Sequence, residues 1–205
     1  MKIFMKKLIW CRFIFKFEWS EDEGPRWWVG TYMIDTLFRE ILKVYGKKIC
    51  MWRFHRRAEQ DDNGHQLTLM CYTTERVGRR IELHISKSKV IRTLSGGSFL
   101  RSYRVNFSGE TISSTSDGKW DEVMRNAWPF FIQGVCESVL VMLERLHIES
   151  SYSDIPRDLL TDEWIESYYG VIHKRLVELW ERQGSHAFFH HVGGVFGYAP
   201  VYVRF

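Results

Sequence analysis

The residues best suited to chemistry fall in two places. One is the closing segment Ser185-His186-Ala187-Phe188-Phe189-His190-His191-Val192-Gly193-Gly194-Val195-Phe196-Gly197; the other is Trp52-Arg53-Phe54-His55-Arg56-Arg57. Imidazole exchanges a proton near neutral pH, which makes His190 and His191 candidate proton carriers. Guanidinium groups hold carboxylates or an incipient enolate, which makes Arg53 and Arg56 candidate donors. If the stretch is a strand, alternation sends Arg53 and His55 to one face and Phe54 and Arg56 to the other. The competing readings are a hydrogen-bonded structural histidine and an edge strand carrying solvated charge. His186 and His190 stand four apart, a spacing that metal sites use on a helix, but no Glu accompanies them in H-E-x-x-H form. Without a third ligand, neither a metal nor a cofactor is expected. Arg76, Arg79 and Arg80 form a second basic cluster at helical spacing, either a solvated face or a surface for an anionic partner. There is no G-x-S-x-G, no Walker sequence and no C-x-x-C; Cys11, Cys50, Cys71 and Cys136 lie far apart and read as free thiols.

The elements that must position these groups follow from periodicity. Leu8 to Trp19 reads as a strand, and Ser20 to Pro25 as a polar loop. From Trp27 to Tyr45, Met33, Ile34, Leu37, Phe38, Ile41 and Leu42 recur at helical spacing, with Gly46 as a stop. Strands are predicted at Ile49 to Arg57 and Gln66 to Thr74, joined through the turn signal Asp62-Asn63-Gly64. Glu75 to Leu94 is predicted helical in preference to a further strand interrupted near Ser86, and Ser98 to Phe107 a strand after Gly96-Gly97. Two long helices follow, Trp120 to His147 with Pro129 as a boundary or kink, and Thr161 to Gln183 behind an acidic first turn. Asp154-Ile155-Pro156 links them, and Tyr198 to Phe205 reads as a final strand or extended tail. Trp27, Phe38, Leu42, Phe54, Leu69, Phe131, Leu140, Leu176 and Leu179 are the expected core.

Composition bounds the class. The 205 residues are 45% hydrophobic and 16% aromatic, too rich in collapsing surface for a disordered chain. The expectation is one α+β domain over residues 1–205, with a mixed or antiparallel sheet, a β-α-β-β start and long helices in the second half. A net charge of +4, from 29 basic and 25 acidic residues, permits an anionic partner without demanding nucleic acid, which is not the expected ligand. The basic, apolar beginning is interrupted by Arg12, Lys16 and Glu18, and reads as a strand rather than a signal peptide. No stretch approaches the ~20 apolar residues of a membrane span, so a soluble, cytoplasmic protein without membrane contact is expected.

Taken in order, these pieces resemble the C-terminal elimination domain of lantibiotic dehydratases, which also occurs free-standing in thiopeptide-type bacteriocin biosynthesis. The resemblance rests on Trp52-Arg53-Phe54-His55-Arg56, on Gly64-His65-Gln66-Leu67-Thr68-Leu69, on Phe131-Ile132-Gln133-Gly134-Val135-Cys136-Glu137-Ser138-Val139-Leu140, and on Phe189-His190-His191 with Val195-Phe196-Gly197. It implies a lyase-type, peptide-modifying protein that eliminates or cyclises activated Ser or Thr side chains of a precursor peptide. In that reading Arg53 or Arg56 is the donor and His190 or His191 the proton carrier, sharing one cleft. Where that family's next strand usually carries arginines, this chain has Gln66 and Thr68. The alternative is therefore a non-catalytic peptide- or protein-binding, immunity-like protein with a basic, aromatic-rich surface. A nucleic-acid-binding module ranks third.

Overall fold

Alternation along the first strand decides how the sheet is covered. In the computed structural model, which describes residues 7–19, 24–59, 61–149 and 161–195, β1 spans Leu8–Phe17. Its Cys11, Phe13, Phe15 and Phe17 are buried on an inner face, while Arg12, Ile14 and Lys16 point the other way and stay partly accessible. β2 (Met51–Arg57), β3 (Gln66–Thr74) and β4 (Leu100–Ser108) complete a four-stranded antiparallel sheet in the order β2-β3-β1-β4. Helical connections after β1 and after β3 make this the split β-α-β, ferredoxin-like connectivity. Register carries the two faces across the sheet. Phe13, Leu69 and Phe54 align on the inner face, as do Phe15, Leu67 and Arg56; Arg12, Met70 and Arg53 align on the outer face.

The inner face is closed by helices. α1 (Trp27–Met33) runs through a π turn at Ile34–Phe38 into α2 (Arg39–Tyr45), and buries Met33, Ile34, Leu37, Phe38 and Ile41 against the sheet. α3 (Glu75–Lys87) starts where the Thr74 hydroxyl accepts from the Val77 amide. α4 (Lys89–Gly96) is a separate helix because Ser88, extended and accepting from the Val90 amide, restarts it. α5 (Glu122–Glu149) runs unbroken through Pro129 and seals the free edge of β2. There the Gln133 Oε1 accepts from the Trp52 amide at 3.0 Å and the Cys136 sulfur from the Phe54 amide at 3.4 Å, which protects an otherwise open strand. α6 (Asp162–Leu179), capped by Thr161, leads through a π turn at Trp180–Gly184 into α7 (Ser185–Val195).

The expected α+β class, the β-α-β-β start and the long helices of the second half are all present, and the sheet is antiparallel throughout. The differences are local. Glu75 to Leu94 divides at Ser88, and the helix expected to reach Gln183 turns π at Trp180. Phe131 and Leu179, expected in the core, are exposed; Phe131 lies on the side of α5 away from the buried stripe Pro129, Cys136, Leu143 and Leu146. By length and composition alone α5 is long and apolar enough to cross a membrane, a property it shares with core helices. Even so, its Cys136, Leu143 and Leu146 are buried in protein. The first six residues, the Asp154-Ile155-Pro156 linker and the Tyr198 to Phe205 tail lie outside the described residues.

Candidate functional site

Strand alternation places Arg53 and Arg56 on opposite faces, so the two arginines serve different sites. Arg56 faces inward at the sheet edge and lies across α1, where a Cβ added at Gly30 would sit 3.6 Å from its Nε. It lines an apolar cavity of about 230 Å³ with Ser138, Val139 and Met142 of α5, His173 and Leu176 of α6, and Phe188 of α7. No described carboxylate pairs with Arg56, and burial pulls its guanidinium down to about 10. A desolvated cation in an apolar wall is a strong attractor for an anion or for a carbonyl oxygen gaining charge.

The imidazole beside Arg56 is His173. Its Nδ1 lies 3.0 Å from the buried Thr31 hydroxyl, whose own proton points back to the Trp27 carbonyl at 3.4 Å. In the tautomer with the proton on Nδ1, Thr31 accepts from it and Nε2 keeps its lone pair. Burial, helped by the charge of Arg56, lowers His173 to about 4, so it is neutral at neutral pH. The same two causes lower His65 to about 4; it is boxed in by Phe17 and Trp27 at ring separations of 5.0 and 5.1 Å, with Trp19 further out. Arg56 thus stands between two neutral imidazoles, one of which has a basic nitrogen free for chemistry.

Of the two closing histidines expected as proton carriers, only His191 has a described side chain. His191 is exposed on α7 and is not among the cavity residues, and the side chain of His190 lies outside the described residues. The closing segment instead supplies Phe188, which walls the cavity against Trp180 at 5.9 Å. His173 was missed because it sits inside an ordinary amphipathic pattern, Ile172-His173-Lys174, with no motif around it. The signal for it was present one level up: a histidine near the inner face of a helix that has to pack on α1. Arg76, Arg79 and Arg80 share the exposed side of α3, where Arg79 is held by Glu75 at 3.1 Å and Glu82 at 3.4 Å and covers the Phe107 ring at 4.3 Å.

A second polar cluster, also unforeseen, ties the helices together. Asp35 in the π turn binds Arg39 at 3.0 Å, the Tyr169 hydroxyl at 3.0 Å and His147 at 2.8 Å, and His147 meets the Tyr168 hydroxyl at 2.5 Å. Arg39 also donates to the Leu140 carbonyl at 2.9 Å, which joins α2 to α5. Burial works to raise the Asp35 carboxyl, but the hydrogen bond and charge of His147, with Arg39 and Tyr169, outweigh it and hold the group below its ordinary value. Among the described residues no three of His, Cys, Asp and Glu are grouped to hold a metal ion. The chain matches no protein-family model, no curated protein and no solved structure.

Proposed function

We propose that the chain is a peptide-modifying protein that eliminates an activated Ser or Thr side chain, with His173 as the base and Arg56 as the donor to the enolate. The observation that carries this reading is the meeting of Arg56 and a neutral, Nε2-basic His173 on one apolar cavity. In the reaction His173 Nε2 takes the Cα proton, and the C–H pair moves into the neighbouring carbonyl as an enolate. Return of that pair forms the Cα=Cβ bond as the Cβ–O bond breaks, and the leaving group departs with the electrons of the Cβ–O bond. Charge builds transiently on the carbonyl oxygen, where an unpaired guanidinium in an apolar wall acts most strongly. At about 230 Å³ the cavity falls below the ~300 Å³ typical of small-molecule sites, which suits one side chain of a longer peptide. The resemblance to the elimination domain of lantibiotic dehydratases supports the same reaction, with His173 in the role first given to His190 or His191.

The test is mass spectrometry of a peptide carrying an O-acylated serine, incubated with the full chain. The expected product is lighter than the unacylated peptide by one water, and His173→Asn and Arg56→Lys should each slow its formation by roughly 10²-fold or more. A second reading, binding without turnover, is favoured by the aromatic cluster at the start of α5, where Trp120, just before the helix, meets Trp128 edge-on at 5.1 Å and Trp128 lies 5.6 Å from Phe131. Peptide retained but unchanged would select that reading; no binding and no product would overturn both.

A further inference from the structure

The outer face of the sheet carries cations that the cavity chemistry does not use. Arg53 is only 8% exposed and points away from the helices. One end of its guanidinium donates to the Thr115 carbonyl at 2.6 Å, while its Nε is buried without a hydrogen-bond partner. Arg12, one strand beyond Met70 on the same face, likewise buries an Nε with no partner. Two strand spacings separate the backbones of Arg12 and Arg53, roughly 10 Å, and the charge of Arg12 is felt at Arg53. No described carboxylate pairs with either arginine. The 3-10 turn at Ile112–Thr115 roofs this end of the face, and it brings a third buried, unpartnered polar group, the hydroxyl of Thr115. Ser116 then donates to the Arg125 carbonyl at 2.7 Å, and Arg125 too buries an Nε without a partner. Toward β4, Arg12 opens onto a groove of about 770 Å³ that Arg53 itself does not line; Arg104 and Asn106 line it, and so do the carboxylates Glu75 and Glu110, which are paired with Arg79 and Lys7.

We propose that Arg12 and Arg53 hold a phosphate group of a small phosphorylated molecule, whose remainder lies in the groove along β4. Guanidinium forks match phosphate oxygens two at a time, and desolvated donors left without partners are costly unless an anion fills them. A nucleic acid fits the face less well. Sheets of this connectivity bind single-stranded RNA through exposed aromatics on the central strands. Here the aromatics at those strands, Trp10 and Tyr72, pack on each other at 5.2 Å. They are also tied to the roof, Trp10 donating to the Thr111 and Ile112 carbonyls and Tyr72 to the Glu110 carbonyl.

The experiment is isothermal titration of the full chain with inorganic phosphate and with pyrophosphate at constant ionic strength, repeated for Arg12→Gln, Arg53→Gln and, as a charge-matched control, Lys87→Gln on exposed α3. Saturable binding of pyrophosphate is expected, weakened about tenfold or more by either arginine change and unchanged by the control. Should Arg53→Gln fail to fold, Arg53→Lys keeps the charge but loses the fork, and a weakening there counts equally. Absence of saturable binding, or equal weakening by Lys87→Gln, overturns the proposal. So does a single-stranded oligonucleotide that binds with steep salt dependence and is not displaced by pyrophosphate.

Discussion

Arg56 is costly to the fold and useful to the site, a combination that separates it from structural residues. Its desolvated cation has no described carboxylate partner, so Arg56→Met should leave stability unchanged or raise it by about 1 kcal/mol while abolishing turnover. Urea unfolding together with the elimination assay checks both halves, and a clear loss of stability would make Arg56 part of the core instead. The neutral histidines predict a pH response. His65 and His173 titrate at about 4 in the fold and near 6.5 when unfolded. Between those values the unfolded chain binds more protons, so their contribution is complete above ~6.5 and drains as the pH falls toward 4. Each pKa unit is worth about 1.4 kcal/mol, and His65→Phe should flatten the decline seen in unfolding curves between pH ~7 and ~4.5. An unchanged slope would exclude His65 as a cause. Asp35, held below its ordinary value, adds a further loss that begins as the pH falls through the usual carboxylate range and continues below it.

At the scale of elements, the π turn at Ile34–Phe38 matters because it aims Asp35 toward α5 and α6. Asp35→Ala leaves buried donors from three helices unsatisfied and should cost about 3 kcal/mol, whereas Tyr169→Phe removes a single bond to the carboxylate and should cost about 1.5 kcal/mol. Chemical denaturation of the two variants gives the comparison, and equal, small losses would show that the cluster does not clamp the helices. The approach of α3 to β1 is set by Gly78, where a Cβ would lie 2.4 Å from the Cys11 sulfur and 2.9 Å from the Phe107 ring. Gly78→Ala should therefore destabilise by about 1–3 kcal/mol, in spite of alanine's better helix propensity. A stabilised variant would mean that α3 can lift off the sheet without loss.

For the molecule as a whole, the unequal use of α5 is the main consequence of the architecture. Its last turns enter the core, while Phe130 and Phe131 remain 62% and 46% exposed on its first half. Replacing both with serine should change unfolding stability by less than about 0.5 kcal/mol each, since neither is buried. It should also lower the binding of a hydrophobic fluorescent dye, because contiguous exposed aromatics are what such dyes report. A large stability loss would place these side chains in a packed interface. The sheet keeps its two faces distinct through the same logic. Helices take the apolar inner face and its one cation, and the outer face gathers Arg12 and Arg53 beneath the 109–118 segment.

Much of this was legible in the residues alone. Period-two alternation in Leu8–Phe17 and Gln66–Thr74, helical spacing from Trp27 to Tyr45, and the Asp62-Asn63-Gly64 turn are local consequences of backbone geometry, so strand, helix and hairpin could be read before any contact was known. Alternation likewise separated Arg53 from Arg56. The partner of Arg56 was not legible, because pairing a strand residue with one about 120 positions later depends on how α6 docks on α1. The hydrogen bond from His173 to Thr31 and the ring contact between Tyr32 and Tyr169 at 4.9 Å mark that docking. Nor does composition say which half of an apolar helix will meet a core: α5 is apolar along its length, and only the reach of the sheet decides where burial begins.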